Sequence, residues 1–220
     1  IYAGGDCVEN VNLITGAKGY WPMGSTANKH GRIIGDNVTG GKSKFPGVLG
    51  TAVLKVFDYN VGKTGLNERQ AKEAGYDVVT ALTASPDVAH YYPQHKTVLV
   101  KLIADRATGQ LLGVQAVGPG EAVKRVDVVA TALSFKSTAE DLAHVDLGYA
   151  PPYSTAIDIV AHTANIIRNK MDGMAKSITP MEVKEKIDRG DDFVFLDKES
   201  TRSWDRIARR QGDTIILDKA

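Results

Sequence analysis

Pro151 and Pro152 stand side by side between two stretches of helical periodicity, and this pair restricts the fold more than any other feature of the chain. Successive prolines remove two backbone donors, fix two φ angles and push the preceding residue out of the α region. Residues 147–153 must therefore form a fixed, extended loop. Upstream, the spacing of Val126, Val129, Ala130 and Leu133 predicts a helix over 121–135 with one apolar face. Downstream, Ser154 is placed to cap a helix reaching about residue 170, with Ile157, Val160, Ala161, Ala164 and Ile167 along one stripe.

The remaining pattern is that of an α+β fold. Apolar runs at 53–57, 78–82, 98–103 and 111–117 read as strands of an antiparallel sheet, with a hairpin turn over 105–109. Asn67 can cap a short helix with Gln70 reaching back, and Gly75 ends it. At the start, Ile1, Tyr2 and Ala3 read as the tail of a buried strand entering a tight turn at Gly4, Gly5 and Asp6, so the chain is expected to begin inside a larger domain. A helix over 25–38 follows, closed by Gly40 and Gly41. Ala27, Gly31 and Gly35 on it would let a neighbour approach its backbone closely. Residues 42–47 form a polar turn and the first boundary, and 172–176 a linker. Beyond the linker, Thr179, Pro180 and Glu182 spell out a capped helix start with Gly190 as terminator. A strand at 193–197, a basic helix at 200–210 and a short strand at 214–217 complete a segment too small to bury a core of its own.

Composition narrows the function classes. With 43% apolar and 24% charged residues the chain belongs with ordinary globular proteins, and a net charge of +1 offers no surface for neutralising phosphates, so no nucleic-acid partner is expected. No apolar run reaches the roughly 18 to 20 residues that span a bilayer, and a cytoplasmic protein without membrane association is expected. The one cysteine, Cys7, excludes an internal disulfide or a CxxC motif, and the five histidines have no metal-ligand spacing, so no metal site is expected.

Three segments carry family resemblances. The run IYAGGDC, followed by WPMGSTANKHGR, resembles the second FAD-binding motif of flavoproteins with two dinucleotide-binding domains. That resemblance implies that Asp6 accepts hydrogen bonds from the ribityl chain, that Gly5, Pro22 and Ala27 contact the cofactor, and that the helix N-terminus points at the flavin ring. Residues 48–171 resemble the dimerisation domain of the same flavoproteins. Dithiol members such as glutathione reductase carry a His-Pro-Thr loop there. This chain has AHVDLGYAPPYS instead, with His144 not followed by Pro-Thr, and so resembles the coenzyme A-disulfide reductase, NADH oxidase and persulfide reductase branch. Members of that branch use a single active-site cysteine. The tyrosines of HYYP and YAPPYS are similar to those facing the partner subunit's thiol pocket, which implies substrate-side roles for Tyr92, Tyr149 and Tyr153. Finally, SITPMEVKEKIDRGDDFVFLD resembles the opening of a rhodanese-like domain, although Lys198 and Glu199 depart from the usual pattern and the chain reaches Ala220 without that domain's cysteine.

Together the resemblances imply three parts: residues 1–46 from an FAD-binding domain, 47–171 as a dimerisation domain, and 177–220 as an incomplete rhodanese-like segment. The whole would be a homodimeric, FAD-dependent NAD(P)H oxidoreductase acting on a small-molecule disulfide or persulfide, coenzyme A disulfide among them. Its redox cysteine and first dinucleotide fingerprint would lie upstream of Ile1, and Cys7 is not expected to be the redox thiol. The alternative is a non-catalytic self-associating module, which leaves the Gly-Gly-Asp turn and the small-residue helix unexplained.

Overall fold

The structure, a computed structural model, describes residues 1–193 together with the backbone of 208–211 and 214–217. It divides into two compact units, Ile1–Ala175 and Lys176–Ala220.

The first unit opens with a short ladder, β1 (Asn10–Val11) on β2 (Lys18–Gly19), and helix α1 (Gly24–Val38). Its centre is an antiparallel sheet of β3 (Ala52–Val56), β4 (Tyr59–Gly65), β5 (Val78–Pro86), β6 (Thr97–Asp105) and β7 (Leu111–Gly118), in the order β3-β4-β7-β6-β5. Helix α2 (Glu68–Glu73) links β4 to β5, and α3 (Ala122–Ser134), α4 (Ala139–Ala143) and α5 (Ile159–Met171) follow the sheet. Helix α3 packs on β7 and β4, and α5 on β5 and β6. This is the α+β arrangement that the apolar runs predict.

Side-chain alternation decides which face is covered. On β6, Val98, Val100, Leu102 and Ala104 point to the helices and are fully buried. Each stabilises the fold by up to roughly 1.5–3 kcal/mol, Ala104 by less. Ile103 on the opposite face is buried beside Leu66, Ala71 and Leu112, under α2. Further along that outer face the sheet is exposed among the described residues. Leu54 pairs with Val61, Val61 with Val117 and Val117 with Leu99, forming an apolar row across four strands, three members of which are exposed.

Several sequence expectations need correction. Strand β4 was not foreseen, because YNVGKTG is poor in strand formers; it exists because β3 and β7 pair with it on both sides. Gly62 on it has a structural purpose, since a Cβ there would lie 2.8 Å from Cγ2 of Val126 on α3. Helix α5 starts at Ile159 rather than at Ser154. Its cap is Asp158, whose carboxylate accepts from the Val160 N–H, and Ile157 lies outside the helix, half exposed. Residues Ile1 and Tyr2 are exposed and outside any strand.

In the second unit, α6 (Pro180–Arg189) begins with the predicted box. Thr179 Oγ1 accepts from the Glu182 N–H, and the Glu182 carboxylate accepts from the Thr179 N–H. Gly190 closes the helix at φ 71°. Residues Ala208–Gln211 form a strand, β8, paired with β9 (Thr214–Leu217), where a helix was expected over 200–210. The rest of that expected helix and most of the strand expected at 193–197 lie outside the described residues.

Candidate functional site

The N-terminal turn is built onto α1. Gly5 adopts φ +85°, a left-handed conformation that suits glycine, and its N–H donates to Nδ1 of His30 at 3.0 Å. That bond fixes Nδ1 as the acceptor. His30 is buried, with its ring edge-on to Phe45 at 4.3 Å. A Cβ on Gly4 would meet His30 Cβ at 2.8 Å and Ile34 Cδ1 at 2.9 Å, so only glycine allows the turn this close to the helix. A Cβ on Gly5 would lie 3.9 Å from that of Ala27, so these two predicted cofactor residues are brought together. Asp6 and Pro22 are exposed, while Gly31 and Gly35 face open space. Exposed Cys7 has its thiol 3.3 Å from the Gly4 carbonyl.

The first turn of α1 has no side-chain cap and no acidic residue, which leaves the positive end of its dipole open. A cleft of about 440 Å³ opens beside that turn, lined by Trp21, Thr26 and Lys29 and, across it, by Asp127 and Thr131 of α3.

The two tyrosine segments, some 60 residues apart in sequence, meet in space. The Ala89 N–H donates to the Pro151 carbonyl at 3.3 Å, docking the 88–96 loop on the 147–154 loop. Interaction with the Tyr149 phenol holds the Tyr91 pKa above its usual value of 10.0. Tyr92 is half-buried; Tyr149 and Tyr153 are 50% and 69% exposed. Lys124 on α3 donates to the Tyr153 carbonyl at 3.1 Å. His95 packs back onto its own loop, with Nδ1 2.9 Å from the Tyr92 carbonyl, and the His90 ring lies edge-on to Tyr91. His144 lies 2.9 Å from the Glu140 carbonyl through Nδ1.

Under these loops lies a buried polar cluster that the sequence reading missed. Arg125, 1% exposed, points inward from α3, and its Nη2 donates both to the Asp87 carbonyl at 2.7 Å and to the Asp158 carboxylate at 2.8 Å. Nη1 donates to the Glu121 carbonyl at 3.0 Å. Asp158 also accepts from the Ser154 hydroxyl at 2.9 Å. The Asp87 carboxylate accepts from the N–H groups of Lys96, at 2.8 Å, and Glu121, at 3.1 Å. A Cβ on Gly120 would lie 2.3 Å from Asp87 Oδ2, so glycine is required there. The signal was available: Arg125 shares a helical face with Ala122, Val129 and Ala132, all buried, and a charge on an apolar face needs buried partners. Among the described residues no group of three or more His, Cys, Asp or Glu could hold a metal, and no helix is long and apolar enough to cross a membrane.

Comparison with known proteins gives this geometry a family. Residues 51–161 match the family described as pyridine nucleotide-disulphide oxidoreductase, dimerisation domain. The chain is 40% identical over 168 residues to the NAD(P)H sulfur oxidoreductase (CoA-dependent) of Pyrococcus abyssi, an alignment that covers 76% of this chain and 37% of that protein. It is 30% identical over 161 residues to the coenzyme A disulfide reductase of Staphylococcus epidermidis, covering 73% of this chain and 36% of that one. A solved structure, the NAD-dependent persulfide reductase from A. fulgidus, superposes with a TM-score of 0.82 at 51% identity, over 84% of this chain and 35% of the other. The chain thus spans a little over a third of the length of the curated relatives it matches. The match to the family over 51–161, on a five-stranded antiparallel sheet with α3 and α5 packed on one face, means that this chain belongs to the pyridine nucleotide-disulphide oxidoreductase dimerisation-domain family.

Proposed function

We propose that the chain is the flavin-contacting and dimerisation part of an FAD-dependent NAD(P)H oxidoreductase that reduces a small disulfide or persulfide, with coenzyme A disulfide among the candidate substrates. The observation that carries this reading is the docking of the HYYP loop on the YAPPYS loop, which gathers Tyr91, Tyr92, Tyr149 and Tyr153 on two adjoining rigid segments. The names of its relatives, with coenzyme A, sulfur, disulfide and persulfide in them, support the substrate class.

The N-terminal residues fit a flavin. Gly5 in a left-handed turn lets backbone approach a ligand, exposed Asp6 offers carboxylate acceptors, Pro22 leads into α1, Ala27 keeps the turn close, and the uncapped start of α1 offers N–H donors to an electron-rich ring. FAD, when bound, passes the electron pair from NAD(P)H to the disulfide. The residues of this chain supply donors. A departing thiolate is stabilised by a neutral phenol O–H from Tyr92, Tyr149 or Tyr153, which takes the part played by an acid–base histidine in the dithiol enzymes.

On this reading residues 1–46 belong to the FAD-binding domain, 47–171 form the dimerisation domain and 177–220 begin a rhodanese-like domain, whose capped helix α6 fits the expectation. The protein acts as a cytoplasmic homodimer, and the exposed row Leu54, Val117 and Leu99 supplies apolar area for a second copy. An absorbance spectrum and sedimentation of the full-length protein test the reading together. Visible flavin bands on a dimer are expected, and a flavin-free monomer would overturn it.

A further inference from the structure

We propose that Arg125 is a positioning residue that clamps the two tyrosine loops into one rigid unit. This deepens the reading above and rests on it for the part the loops play in turnover. One nitrogen, Nη2, holds the Asp87 carbonyl at the root of the 88–96 loop and the Asp158 carboxylate just past the 147–154 loop. Each loop is then tied at a second point. The Asp87 carboxylate accepts the Lys96 N–H at the far end of the first loop, and Asp158 accepts the hydroxyl of Ser154 at the end of the second. The loops meet directly through the bond from the Ala89 N–H to the Pro151 carbonyl, and the Tyr149 phenol acts on that of Tyr91.

The burial of this cluster separates it from an ordinary surface pair. At 1% and 5% side-chain exposure, water cannot replace either partner of the Arg125–Asp158 pair, so the guanidinium has no low-energy position other than between its acceptors. The planar fork serves two loops and its own helix at once; a lysine ammonium at the same place is a point charge on a flexible stem. Loops fixed in this way present phenol donors at constant spacing. A displacement near 1 Å in such a constellation can cost on the order of a hundredfold in rate.

The test uses the full-length flavoprotein with Arg125→Lys and, as the milder variant, Ser154→Ala, which removes one donor to Asp158 and leaves the guanidinium. Amide hydrogen exchange should rise together over residues 88–96 and 147–157 in Arg125→Lys, with the Ala89 N–H as the direct reporter, while β6 and β7 keep their protection. Disulfide turnover should fall about tenfold or more through kcat. Flavin content and flavin reduction by NAD(P)H should stay unchanged. Ser154→Ala should show the same pattern, weaker. Exchange unchanged at both loops, raised at one loop alone, or raised uniformly across the sheet overturns the clamp. Loops that loosen together while a Tyr92→Phe/Tyr153→Phe variant retains full turnover would instead overturn the catalytic reading on which the role of the clamp in turnover depends.

Discussion

Arg125 and Asp158 form an ion pair of 2.8 Å with 1% and 5% of their side chains exposed, linking the middle of the helical layer to the cap of the next helix. Asp158 thus serves two elements: its Oδ1 accepts from the Val160 N–H at the start of α5, and its Oδ2 meets Arg125 and Ser154. This explains why α5 begins at Ile159 and why the proline loop extends to its cap.

The first prediction follows from that double duty. Asp158→Ala strands a buried guanidinium and removes a helix cap, so it should destabilise the first unit by about 3–5 kcal/mol. Glu73→Ala, which breaks the Arg69–Glu73 pair with side chains 82% and 65% exposed, should cost less than about 1 kcal/mol. Urea denaturation of the two variants provides the comparison, and equal costs would contradict the account of the buried pair.

A second prediction concerns acid. Hydrogen bonds from Lys101 and then Lys72 lower the Glu68 pKa to about 2 from its usual 4.5. A carboxylate whose folded pKa is depressed contributes stability that is present above the unfolded pKa and lost as pH falls through the folded one. Wild type should therefore lose this contribution between about pH 4.5 and about pH 2, and Glu68→Gln should show a shallower loss over that window. Parallel stability curves for the two proteins would contradict the assignment.

Phe57 gives a third. It sits at the β3–β4 hairpin with φ 50° and is 92% exposed, so it bears left-handed strain with no burial to offset it within the chain. Asn tolerates that conformation. Phe57→Asn should raise the stability of the monomeric unit by about 1 kcal/mol, and a loss measured by thermal unfolding would show that the ring makes a contact that outweighs its strain.

The legible parts of this molecule were the local ones. Asn67 with Gln70, and Thr179 with Pro180 and Glu182, state their helix starts within four residues, and both boxes form. The strands at β5, β6 and β7 were legible from apolar runs, although each extends beyond its run because cross-strand pairing continues where hydrophobicity stops. Helix α4 escaped notice because its box closes with Asp141 where a Glu or Gln is the usual signal. Strand β4 depends in part on β7, far away in sequence, and although Arg125 announces itself as a charge on an apolar helical face, its partners Asp87 and Asp158 lie over 30 positions away and no local pattern names them. In the candidate site, the two tyrosine motifs were readable, whereas the His30 acceptor beneath Gly5 and the acceptors that meet the Arg125 guanidinium become visible only when the chain is folded.

Whether phenols on the docked loops serve a departing thiolate, as proposed above, is tested most directly by stopped-flow measurement of the two half-reactions of the full-length protein. In Tyr92→Phe/Tyr153→Phe, flavin reduction by NAD(P)H should proceed at the wild-type rate. The disulfide half-reaction should slow by roughly tenfold to several-hundredfold, less than the product of the single effects because both hydroxyls serve one sulfur. A disulfide half-reaction at the full wild-type rate would contradict the claim, leaving these tyrosines as interface residues alone.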